Sequence, residues 1–191
     1  MADLLPHDAS RTRGPQRFVP VDSIADGVAE MASWGPTDSD ASSPNWTGCS
    51  TIAMLTVGQA EHERALLDTS VVIDYPAAAV AGHAVSAAIC TITLAELAAG
   101  LHTPDPLVNA AREQRYQWIV GTFAAITFGP QAARTYGALC ASVRSAERDP
   151  KPRRFDLLIA AVAVALDLPL LSRNPVDFRG IHDALTVIPV G

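Results

Sequence analysis

Cysteine is scarce. Cys49, Cys90 and Cys140 are the three in 191 residues, odd in number and far apart. That argues against a disulfide framework or a cysteine-built zinc site and suits a reducing cytosol. Aromatic residues make up 6% and charged residues 18%, the latter below the usual quarter. Hydrophobic residues reach 49%, so a buried core is within reach and global disorder is not expected. No apolar run is long enough to cross a bilayer: the longest, Leu157 to Leu166, is closed by Asp156 and Asp167. The N-terminus lacks a basic stretch followed by an apolar one, so no secretory signal is visible and a cytoplasmic protein is expected. A glycine-rich phosphate loop is also missing. The length predicts one domain with a tail.

Negative charge is unevenly placed. The net charge is −6, yet residues 1–63 hold three arginines against nine acids, whereas residues 64–191 hold 11 bases and 11 acids. If metal occupied several of the later acids, the remaining surface of that part would be net basic. A nucleic-acid substrate is therefore compatible with the charge.

Residues 1–63 read as an N-terminal extension, punctuated by Pro6, Pro15, Pro20, Pro36 and Pro44 and by the polar tract Thr37 to Ser43. Within it, Ser23 and Asp26 resemble a capping box, and Ile24, Val28 and Met31 lie at helical spacing. This stretch is either a frayed helix or a docking helix. From residue 64 onward short apolar runs alternate with longer helical ones. Strands are predicted at 65–67, 85–90, 125–128, 168–171 and 186–189. Helices are predicted at 91–102, from Pro106 (capped by Asp105) to about 125, at 130–147 and at 155–166, with a loop at 149–152. In the second of these helices, Leu107, Ala110, Ala111, Gln114, Trp118 and Val120 are expected near one side. Such alternation predicts a central parallel sheet with helices on both faces, its ligands at the carboxyl ends of the strands.

Three acids stand where burial is expected. Asp68 ends the run Ala65-Leu66-Leu67, Glu96 sits in Thr93-Leu94-Ala95-Glu96-Leu97-Ala98-Ala99, and Asp156 opens an almost wholly apolar helix. Singly, each has an ordinary role: a turn acid, a partly exposed helix position and a helix N-cap. Converging, they would repel, two carboxylates about 4 Å apart by roughly 4 kcal/mol at an effective dielectric of 20. Such a group needs a proton, a basic partner or a cation. Oxygen ligands without a His or Cys cluster suit Mg²⁺ or Mn²⁺. A metal so held can acidify a water and neutralise a phosphate.

Four blocks carry a resemblance. They are Leu66-Leu67-Asp68-Thr69-Ser70-Val71-Val72-Ile73-Asp74, Thr91-Ile92-Thr93-Leu94-Ala95-Glu96-Leu97-Ala98-Ala99-Gly100, Arg153-Arg154-Phe155-Asp156-Leu157-Leu158-Ile159-Ala160-Ala161 and Leu171-Ser172-Arg173-Asn174-Pro175-Val176-Asp177-Phe178. In this order and spacing the chain resembles PIN-domain ribonucleases, and most nearly the VapC toxins of bacterial toxin–antitoxin pairs, over about residues 65–190. The resemblance implies a three-layer α/β/α domain over residues 64–191, preceded by a poorly ordered N-terminal segment. It implies an endoribonuclease in which Asp68, Glu96 and Asp156 hold Mg²⁺ or Mn²⁺. The fourth family acid falls at Asn174, an amide, with Asp177 three residues later as a further catalytic candidate or a turn cap. Ser70 and Asn174 would hydrogen-bond around the metal ligands. The resemblance also implies cleavage that leaves a 5′-phosphate and a 3′-hydroxyl, an RNA substrate of the tRNA or rRNA class, a cognate antitoxin and a homodimer.

Arg153, Arg154 and Arg173 adjoin these acids, either as solvated loop charges or as RNA phosphate contacts. Asp74 is expected to cap a short helix, His102 to end one, and Tyr116 and Trp118 to pack. A dehalogenase-like phosphatase would need a second Asp where Ser70 stands. A non-catalytic PIN-like module that binds RNA or protein is the alternative; the loss of an acid would mark it. Residues 1–53 are open to three readings: an upstream start with Met54 the true one, an antitoxin-like tail, or an acidic cover over a basic face that adds nothing to the fold.

Overall fold

The structure is a computed structural model that describes residues 18–26, 60–123 and 125–191. Its elements in chain order are β1 (Val19–Pro20), β2 (His62–Leu67), α1 (Thr69–Ile73), α2 (Ala77–His83), β3 (Ala84–Ala88), α3 (Thr91–Ala99), α4 (Pro106–Thr122), α5 (Pro130–Ser145), α6 (Arg154–Ala165), β4 (Leu170–Ser172) and β5 (Val187–Pro189). Residues 21–26 are also helical. Short 3₁₀ turns lie at Lys151–Arg153 and Pro175–Phe178.

The sheet order is β1-β3-β2-β4-β5. Strands β3, β2, β4 and β5 are parallel, and β1 alone runs antiparallel, against β3. Strand pleating separates two cores, because successive side chains point to opposite faces. Leu66, Ala88 and Leu170 face a core with α5 and α6, through Leu139, Val143, Leu157 and Ala161. Their neighbours Ala65, Leu67, Ala87 and Leu171 face a second core with Val71, Val72, Val80 and Ile119. This is the expected three-layer α/β/α arrangement. Strands buried on both faces need near-continuous apolar runs, which accounts for the leucine pairs of β2 and β4.

Several details differ from the expectation. Strand β2 begins at His62, inside the expected N-terminal extension. Among the described residues the stretch at 125–128 makes one bridge, Cys90↔Ile126. The Phe128 amide leaves that pairing to donate to Thr91 Oγ1 at 3.2 Å as the chain turns into α5. The loop expected at 149–152 closes as a 3₁₀ turn. Helix α4 buries Ile119 alone, while Leu107 is 82% exposed and Val120 also faces outward. Trp118 packs edge-on against Phe123, with centroids 6.3 Å apart.

The largest departure is at residues 18–26, which on one of the three readings add nothing to the fold. Val19 and Pro20 pair with Ala87 and Ser86 as the sheet's edge. Val21 and Ile24 are buried in the second core. Arg64 lies over the Phe18 ring at 5.2 Å. Ser23 is not a cap: it lies within the helical stretch, and its Oγ donates to the Pro20 carbonyl at 2.8 Å. Val28 and Met31 lie outside the described residues.

Candidate active site

The site lies at the carboxyl ends of β2 and β4. Parallel register sets Leu66 beside Leu170 and Leu67 beside Leu171, so the two leucine pairs end side by side in Asp68 and Ser172. Asp68 has extended backbone (φ −72°, ψ 156°) and caps α1. The residue is 5% exposed, and its carboxylate takes three hydrogen bonds. Oδ1 accepts from the Thr69 amide at 2.8 Å. Oδ2 accepts from Ser70 Oγ at 2.6 Å and from Ser172 Oγ at 2.8 Å. Ser172 Oγ also accepts the Asn174 amide at 3.0 Å, and Ser70 Oγ accepts the Arg173 amide at 3.2 Å.

Glu96 projects from α3. Thr69 Oγ1 donates to its Oε2 at 2.6 Å, joining the first turn of α1 to the second acid. Burial raises the Glu96 carboxyl above its usual range, with the nearby Asp68 charge adding to the rise and the Thr69 bond opposing it.

Asp156 does not cap α6, as the sequence suggested. Arg153 holds the cap position and Asp156 sits in the first turn, because the 3₁₀ turn before the helix carries helical geometry back to Arg154. Burial and the charges of Asp68, Asp177 and Glu96, in that order, push its carboxyl up to about 6, with Arg153 opposing. Four acids from four elements thus share one electrostatic site.

Asp177 lies in the 3₁₀ turn Pro175–Phe178 and pairs with Arg153 at 2.9 Å. Arg153 also donates to the Val176 carbonyl at 2.8 Å. Asp74 stands at the C-terminus of α1 and pairs with Arg173, which also reaches the Asp74 carbonyl. Asn174 opens the 3₁₀ turn, and its carbonyl accepts the Asp177 amide at 3.0 Å. Of the three arginines expected at RNA, two are therefore engaged by acids. Arg154 makes no ion pair among the described residues, and its guanidinium lies 5.0 Å over the Phe155 ring.

Sequence reasoning missed Ser172 and the Thr69–Glu96 bond. The signal for Ser172 was present: two leucine pairs, each ending in a small polar residue, are what two parallel strands opening on one site require. Among the described residues no three His, Cys, Asp or Glu side chains gather into a chelating group. The donor chemistry nevertheless fits a hard divalent cation, since every candidate ligand is oxygen, and burial together with their mutual repulsion raises Asp156.

A family model described as the PIN domain matches residues 65–181. No curated protein matches the chain. Among solved structures, the chain is similar to VapBC-5 from Mycobacterium tuberculosis, a member of the VapBC family of toxin–antitoxin systems. The TM-score is 0.56 at 27% identity, over 66% of this chain and 97% of that one. It is also similar to VapBC2 from Rickettsia felis bound to a promoter DNA fragment, with a TM-score of 0.55 at 21% identity, over 67% and 99% of the two chains. The corresponding values for VapBC-1 from nontypeable Haemophilus influenzae are 0.55, 21%, 66% and 97%.

Proposed function

The chain belongs to the PIN-domain family, and we propose that it is a metal-dependent endoribonuclease of the VapC type, the toxin of a toxin–antitoxin pair. The observation that carries this reading is Asp68 at the end of β2, buried and held by three hydrogen bonds, with Glu96 tied to its neighbour Thr69. A site that orients buried carboxylates in this way is suited to counter-charge from a cation and a phosphate. The similarity to VapBC-5, at 27% identity, supports the toxin role and a cognate antitoxin as partner.

Asp68, Glu96 and Asp156 would hold Mg²⁺ or Mn²⁺, with Asn174 and Asp177 beside them. Such an ion, when bound, lowers the pKa of a water and offsets charge on the phosphate. The chain's own part is orientation. The Thr69 amide, Ser70 and Ser172 fix both oxygens of Asp68. Thr69 fixes one oxygen of Glu96. Arg153 holds Asp177, the acid nearest the end of the fourth block. Hydrolysis joins a water oxygen to phosphorus, breaks the bond from phosphorus to O3′, and leaves a 5′-phosphate and a 3′-hydroxyl. The proposed substrate is RNA of the tRNA or rRNA class, acted on by a cytoplasmic homodimer.

The test is sequencing of RNA 5′ ends after brief induction of the full chain, beside Asp68→Asn and Asp156→Asn. Discrete new 5′-phosphate ends that vanish in both variants are expected. Ends that persist in both would overturn the nuclease assignment. A chain that binds RNA with no new ends would be a non-catalytic module.

A further inference from the structure

Phe155 is an oddity of the third block. It is a large aromatic side chain, 39% exposed, on the first turn of α6, directly before Asp156. Neighbours on the same helix, Leu157, Ile159 and Ala160, are buried. Its ring is not bare to water alone, since the Arg154 guanidinium lies 5.0 Å from its centroid. A guanidinium plane over an aromatic ring offers a stack whose outer surface accepts another flat group.

Further cations lie on the elements that flank this stack. Arg144 is an exposed cation in the last turn of α5, the helix that packs against α6. Lys151 is exposed in the 3₁₀ turn just before α6. Arg154 makes no ion pair among the described residues, unlike Arg153 and Arg173. A cation without a carboxylate partner and the exposed ring beneath it disfavour an apolar protein contact. They suit a polyanion that carries flat rings.

We infer that Arg154 and Phe155 form a stacking platform for one unpaired RNA base next to the phosphate cleaved at Asp156. This rests on the nuclease reading and adds a requirement on the substrate. A base inside an A-form helix has both faces covered by its neighbours, so it cannot stack on a protein side chain. The platform therefore selects RNA whose cleaved nucleotide lies in a loop, a bulge or a single-stranded end. Phe155 is a positioning residue: it holds the base and leaves the chemistry to the acids.

The test uses the full chain in EDTA, where cleavage is blocked, and a short RNA carrying 2-aminopurine. Stacking quenches the fluorescence of this base analogue. Quenching is expected with the single-stranded RNA and not with the same strand in a duplex. Phe155→Trp keeps a ring and should keep the quenching. Phe155→Leu keeps an apolar side chain without one and should weaken binding about tenfold. With Mn²⁺ added, Phe155→Leu should raise KM by a similar factor and leave kcat nearly unchanged. Equal quenching by Phe155→Leu, or equal quenching of single strand and duplex, would overturn the platform and leave Phe155 to a protein contact. The two readings fail separately. Phe155-dependent quenching by a chain that cleaves no RNA would keep the platform and remove the nuclease. Cleavage that needs Asp156, with quenching indifferent to Phe155, would do the reverse.

Discussion

Ser172 Oγ donates to Asp68 Oδ2 at 2.8 Å, a buried bond between residues 104 positions apart in the chain. It ties the end of β4 to the end of β2 and completes the set of three donors on the carboxylate. Ser172→Ala removes a buried bond to a charged acceptor, a loss of about 1.5–3 kcal/mol. Urea unfolding should show that loss, and cleavage should fall with it. Unchanged stability would mean that Ser70 and the Thr69 amide suffice to hold Asp68.

Asp156 gives the metal-free protein a distinctive pH dependence. Its carboxyl titrates at about 6 in the folded chain and near 3.9 in an unfolded one. Between these values the folded state binds the extra proton. Its contribution is therefore full below about pH 4 and is lost as the pH rises through about 6. Glu96, also raised, acts in the same direction. Asp156→Asn should stabilise the EDTA-treated protein at pH 7.5 by about 1 kcal/mol after discounting for solvent screening, roughly 2–4 °C in Tm. The same variant should lose cleavage. Thermal melts from pH 4 to pH 8 would expose the error if the variant and parent curves stayed parallel.

Divalent cation should reverse that pH effect. A ligand that binds only the folded state raises stability with its concentration. Mn²⁺ is expected to raise the Tm of the parent at pH 7.5 and to leave Asp156→Asn nearly unmoved. An equal rise in both would place the ion elsewhere.

The fourth block separates two roles. Asn174→Asp adds a charge and should tighten Mn²⁺ binding, measured by calorimetric titration. Asp177→Asn should reduce cleavage only in part, because Arg153 keeps its bond to the Val176 carbonyl. The same change removes one charge that raises Asp156 and frees one that lowers it. The Asp156 midpoint, followed by carboxyl NMR, should therefore fall from about 6. A midpoint that does not move would separate Asp177 from the site.

Ile24 tests the N-terminal segment. Its side chain is fully buried in the second core. Ile24→Ala should cost roughly 2–5 kcal/mol, the range for a large aliphatic side chain cut back in a core. Deletion of residues 1–53 should lower Tm as well, since it removes β1 and exposes the β3 edge. A deletion that melts like the parent would return residues 18–26 to the status of an accessory tail.

Local sequence determined the layers and the place of the acids. Leu66-Leu67-Asp68 and Leu170-Leu171-Ser172 are short enough to read as buried parallel strands, and a strand end is where such sheets open. Glu96 and Asp156 stood out because a charge in an apolar helix needs a reason. Helix limits were legible to within a few residues, because Pro106 and Pro130 mark starts that no later contact overrides. Only the tertiary structure decided which partners these groups took. Nothing in a window of ten residues tells that Arg153 meets Asp177, that Arg173 meets Asp74, or that Thr69 reaches Glu96. Nor does composition tell that Val21 and Ile24 find a core. The physical reason is one of range. Periodicity and capping act within a turn or two of chain, whereas ion pairs, hydroxyl bonds and edge pairing depend on which elements the fold brings together.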